Sequence, residues 1–145
     1  MGQQQLLLLV LGIVIVGIAV VAGIQAFSEG KGKAEQDAAV SDAMRIISDV
    51  QAWKLKPQAF GGGSGSADVN FAALTSLKPL GYPQAGTTAQ PYITTSGCYT
   101  IAGSATKATI TILKLATSTT CSATTIATVD VTGPNSSNIA WAYAS

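Results

Sequence analysis

The residues able to do covalent chemistry in this 145-residue chain are few. Cys98 and Cys121 are its only cysteines, and it has no histidine. The commonest general base and metal ligand is therefore missing, along with every Ser-His or Cys-His pair. An even cysteine pair within strand-forming sequence reads as one disulfide in an oxidising compartment; two free buried thiols are the alternative. Beyond residue 66 the acidic side chains are Asp68 and Asp130. Two carboxylates make neither a paired-carboxylate cluster nor a good calcium site. No catalytic residue, metal ligand or cofactor is expected, and the chain reads as a non-enzyme. The glycines of Phe60-Gly61-Gly62-Gly63-Ser64-Gly65-Ser66 are not a phosphate loop, because no Gly-Lys-Ser/Thr follows and no strand precedes. Asn135-Ser136-Ser137 matches the N-glycosylation acceptor pattern. An ordinary Asn-Ser turn accounts for the same residues, as strand propensity accounts for the Thr and Ser density over 104–125.

These residues must be positioned by elements that a low charge density helps to identify. Net charge is +1 and charged residues are 10% of the chain. A nucleic-acid binder shows a basic excess or stripe, and none is evident. No charge falls within residues 1–28, and Leu6 to Ile24 is an unbroken apolar and glycine run. As a helix it spans roughly 30 Å, the thickness of a bilayer core. A cleaved signal peptide would show a basic start and a small-residue cleavage site, which are absent. A plain signal anchor, usually flanked by Lys or Arg, stays open.

From Gln25 the pattern becomes amphipathic. Val40, Ala43, Met44, Ile47 and Val50 recur at helical spacing, with Ile46 and Trp53 widening the stripe. Opposite charges recur at i,i+4 in Glu29/Lys33, Lys31/Glu35, Lys33/Asp37 and Arg45/Asp49. Gly30 and Gly32 are places where the helix could bend, and Pro57 ends it. This N-terminus resembles that of the type IV pilins, in which an apolar helix starts a few residues into the mature chain and then turns amphipathic. On that resemblance Met1 would be the first mature residue, the site of processing and methylation. Gln3, Gln4 and Gln5 would take the polar contacts between subunits. The family usually carries Glu at the fifth position; Gln5 offers hydrogen bonds without charge. Leu6, Leu9, Gly12, Ile13, Val16, Gly17, Val20, Gly23 and Ile24 would pack the filament core, the glycines permitting close helix approach.

The remaining sequence reads as a joint and a head. Four regions are expected: 1–28 the apolar membrane or filament-core helix, 29–57 its amphipathic half, 58–66 a flexible Gly/Ser linker, and 67–145 a β-rich head. Val69 to Leu77 is a short helix candidate with Asp68 as N-cap. Alternating apolar residues over Tyr99–Ile101, Lys107–Ala116, Thr124–Thr132 and Asn138–Ala144 predict about four antiparallel strands. Ile110, Ile112, Val129 and Trp141 would face Val40, Met44, Ile47, Val50 and Trp53, because neither element can bury its own apolar face. The fold class is α+β, a long N-terminal helix packed on a C-terminal antiparallel sheet, as the pilin resemblance also implies. The resemblance implies a structural subunit of an extracellular filament, a helical homopolymer at the cell surface. Its partners would be further copies, the lipid bilayer before assembly, inner-membrane assembly machinery and a prepilin peptidase. A pseudopilin and a monomeric membrane-anchored binding domain are the alternatives.

Overall fold

The computed structural model describes residues 2–63, 71–83 and 91–144. One α-helix, α1, runs Gly2–Leu55, followed by a five-stranded sheet: β1 Tyr92–Ile93, β2 Cys98–Gly103, β3 Ala108–Thr117, β4 Thr120–Val131 and β5 Ile139–Tyr143. Helical hydrogen bonding continues through Gly30 and Gly32. It stops two residues before Pro57, whose ring and missing N–H cannot continue the turn. The chain divides into two compact units, residues 1–35 and residues 36–145.

In the second unit the sheet is a meander in the order β1-β2-β3-β4-β5, every neighbouring pair antiparallel. Four strands were expected; the fifth, β1, pairs only Tyr92 with Tyr99 and Ile93 with Cys98. Two residues are too few for periodicity to register. One sheet face carries Tyr99, Ile101, Ile110, Ile112, Ala127, Val129 and Val131, all buried. Trp141 and Ile139 pack against that core half-buried. The other face carries Thr100, Thr111 and Thr128 in register across three strands. This is the inward-apolar, outward-polar alternation of an antiparallel sheet covered on one side.

The covering element is the 36–55 part of α1. Its buried stripe is Ala39, Ala43, Ile46, Ile47, Val50, Trp53 and Lys54. That corrects the expected stripe: Ala43, Ile46, Ile47, Val50 and Trp53 are in it, Val40 lies half-buried on its margin, and Met44 is 50% exposed. Small side chains decide the rotation. Ala39 and Ala43 let the sheet approach closely, and a Cβ on Gly97 would sit 3.4 Å from the Ala39 Cβ. Met44, the more hydrophobic residue, is displaced to the outside.

Two connecting segments differ from expectation. Residues 71–77 form turns rather than a helix; Asp68 and Val69 lie outside the described residues. Phe71, Leu74 and Leu77 from this segment are nonetheless fully buried in the core. Gly103 faces it at close range, since a Cβ there would fall 1.8 Å from the Phe71 carbonyl oxygen. In the Gly/Ser segment, residues 61–63 are held. Trp53 Nε1 donates to the Gly61 carbonyl at 3.0 Å, Lys54 Nζ to the Gly63 carbonyl at 3.1 Å, and Gly63 N–H to the Trp53 carbonyl at 3.0 Å. Gly61 takes φ +78°, a conformation that glycine adopts without steric cost.

The apolar helix and the head surface as candidate functional site

Within residues 1–35, α1 has no acidic residue in its first turn, and an 18-residue window reaches a mean hydropathy of 3.1 with none of it buried. Leu6, Leu9, Ile13, Val16, Val20 and Ile24 are all exposed, with Leu6 at 67% and Ile24 at 64%. Gly12, Gly17 and Gly23 have open space where a side chain would project. Gln3, Gln4 and Gln5 are exposed in the first turns, and Met1 lies outside the described residues. A helix apolar all round is a membrane span or the interior of an assembly, because water offers it no favourable face. Beyond the run, Lys31 and Glu35 form an exposed i,i+4 ion pair at 3.7 Å.

The head holds a polar cluster whose members lie far apart in the sequence. Tyr82, Tyr92 and Tyr99 form an aromatic row with ring centroids 4.9 and 6.2 Å apart. Arg45 and Asp49, expected to pair with each other, both address Tyr82. The guanidinium lies 5.7 Å from the ring centroid, and the Asp49 carboxylate accepts the phenol hydroxyl. One helical repeat earlier, the Asp42 carboxylate accepts from Thr94 Oγ1 at 3.2 Å and from the Tyr99 hydroxyl at 3.4 Å. The Tyr99 hydroxyl also donates to the Ala39 carbonyl at 3.1 Å. Burial raises both phenols, reinforced at Tyr82 by the Asp49 hydrogen bond; Tyr99 is pushed up to about 12. The cluster locks helix to sheet through buried donors that all have acceptors. The i,i+7 spacing of Asp42 and Asp49 was the available signal, since it sets two carboxylates on one side of the helix.

Cys98 and Cys121 are joined, with Cα atoms 5.9 Å apart. They lie on β2 and β4, the strands flanking β3, which regular pairing would separate by roughly 9.5 Å. Register shifts at Leu113, Leu115 and Thr117 bend the β3–β4 hairpin and close the gap. Cys98 has the parity of Thr100, so the bond staples the sheet face turned away from α1. Elsewhere on the head, Lys107 Nζ meets Asp130 at 2.7 Å, and Thr109 Oγ1 donates to the same carboxylate at 2.6 Å. These hydrogen bonds hold Asp130 below the usual carboxylate range. A cleft of about 200 Å³ is lined by Gln36, Asp37, Val40, Ile126, Tyr143 and Ala144. Among the described residues no group of three His, Cys, Asp or Glu side chains could hold a metal. Asn135 is exposed in the β4–β5 connection.

The architecture is therefore a pilin-like one: an apolar N-terminal helix whose later turns cover an antiparallel sheet closed by a disulfide. No protein family, curated protein or solved structure matched the chain.

Proposed function

We propose that the chain is a structural subunit of an extracellular type IV pilus-like filament, polymerised through its N-terminal apolar helix. One observation carries this reading. The run from Leu6 to Ile24 is wholly exposed, yet it belongs to the same helix that supplies the head's core from Ala39 to Trp53. Burying that run against other copies removes it from water or lipid without altering the head. The subunits would meet head to tail through a heterologous, non-closing contact, which generates a helical polymer. Gln3, Gln4 and Gln5 would supply neutral hydrogen bonds where the family places a carboxylate. A neutral amide also costs less to desolvate in an apolar core than an unpaired carboxylate. Before assembly the helix would sit in the bilayer, where the assembly machinery and a prepilin peptidase meet it.

Electron microscopy of material sheared from the cell surface tests this. Helical filaments containing this chain support it. Recovery of the chain solely as membrane-bound monomers refutes polymerisation and leaves the anchored domain.

A further inference from the structure

The connection between β4 and β5 contains a polar side chain without a structural task. The sequence allows two readings of Asn135: a residue of an ordinary Asn-Ser turn, or the acceptor of a modification. The turn is present, and in many such turns the asparagine side-chain oxygen accepts an N–H two or three residues on. Asn135 does precede the 3₁₀ turn Ser136–Asn138, at φ −90° and ψ 155°, but makes no side-chain cap hydrogen bond. The Asn138 N–H goes instead to the main-chain carbonyl of Asn135 at 3.0 Å. Gln51 Nε2, from α1, donates to that same carbonyl at 3.1 Å and to the Gly133 carbonyl at 3.3 Å. The Asn135 backbone is thus fixed from both sides while its amide projects into solvent. Two positions on, Ser137 is exposed, its hydroxyl engaged by Asn138 Oδ1 at 3.3 Å.

We propose that Asn135 is the attachment site of an N-linked oligosaccharide. The donor class is an oligosaccharide carried on a polyprenyl phosphate or diphosphate, and the catalyst is a membrane-bound transferase that reads Asn135 and the Ser137 hydroxyl. Asn135 Nδ2 attacks the anomeric carbon of the first sugar. The bond from that carbon to the phosphate oxygen breaks, and the lipid phosphate leaves with the electron pair. The new N–C bond forms as Nδ2 loses one proton to a base of the transferase. Two further features favour this chemistry. The Cys98–Cys121 bond belongs to the oxidising compartment where such transfer takes place. With 10% charged residues and a net charge of +1, the chain lacks the charge that keeps crowded surfaces apart, and a neutral hydrated glycan supplies that separation.

The inference rests on the exported part of the proposed function and not on polymerisation. The test isolates the full chain from the cells that naturally make it, cleaves after Lys114, and weighs the peptide containing Asn135. Carbohydrate mass is expected on that peptide. It should vanish in Asn135→Gln and in Ser137→Ala and persist in Ser137→Thr. All three variants should retain the disulfide on a non-reducing gel, as evidence that they fold. An unmodified wild-type peptide overturns the site, as does a mass excess that survives Asn135→Gln. Protease added to intact cells separates the causes of failure. An unmodified peptide on an accessible head refutes the glycan alone, whereas an unmodified peptide on a protected head refutes export as well.

Discussion

Reducing the Cys98–Cys121 bond should cost the head about 3 kcal/mol. The bond closes a loop with a sequence separation of 23, and loop-closure entropy of the unfolded chain gives about 3.4 kcal/mol at that length. For a domain near this size, each kcal/mol moves the melting temperature by roughly 4–8 °C, so a fall of roughly 12–24 °C is expected. The assay is thermal and urea unfolding of the full chain in detergent micelles. It would follow the fluorescence of Trp53, which is buried, and Trp141, which is half-buried, with and without reductant. A Cys98→Ala/Cys121→Ala variant supplies the second arm. Cys98 is fully buried, so this variant should lose about 1 kcal/mol more than simple reduction through lost packing. Protection from hydrogen exchange should fall first at residues 116–120, the exposed hairpin tip beyond the staple. A loss on reduction below about 1 kcal/mol would refute the loop-closure argument. A large loss confined to the alanine variant would assign the effect to packing at Cys98 instead.

Three further outcomes are expected. Ile47→Ala should cost the head roughly 2–5 kcal/mol, whereas Met44→Ala, at a 50% exposed position, should stay within about 0.5 kcal/mol by urea titration. Equal losses would contradict the stripe described for α1. The raised Tyr99 phenol contributes stability that is fully present below its ordinary value of 10.0 and is lost as pH rises towards about 12; Tyr99→Phe should flatten that alkaline decline, read by tyrosinate absorbance alongside unfolding. Val16→Lys places a charge amid the apolar run at a cost of roughly 2.5–3.5 kcal/mol in a bilayer centre, and should deplete the chain from membranes and sheared filaments while the head keeps its disulfide. Unchanged recovery in both fractions would refute the role given to that run.

Local signals in the sequence carried much of this fold. An uncharged run of apolar residues, a proline at the end of a charged helix, and alternating apolar residues over 99–101, 107–116, 124–132 and 138–144 need no partner to be recognised. The pairing of two cysteines likewise needed only their number and setting. What escaped depended on contacts between distant segments. Hydrophobicity ranks Met44 above Ala39, but the sheet needs a small residue where the backbones come close, so the ranking put the stripe's edge in the wrong place. Asp49 read as the i,i+4 partner of Arg45, and Asp42 carried no reading, until Tyr82 and Tyr99 arrive from elsewhere in the chain to donate to them. Gly61 to Gly63 read as free joint because nothing local announces that Trp53 and Lys54 will bind their carbonyls.

The sharing of α1 between the apolar run and the head has a consequence for the timing of folding. The stripe from Ala39 to Trp53 leaves the ribosome well before the strands that cover it, and β5 is synthesised last of all. At roughly 5–20 residues per second that interval lasts several seconds. Throughout it, the six core residues that α1 supplies stand uncovered next to an apolar run that also lacks a partner. The head can therefore close only after its whole length has been made. On the proposed function, the newborn chain would need a membrane, or a holding protein, earlier than it needs any copy of itself.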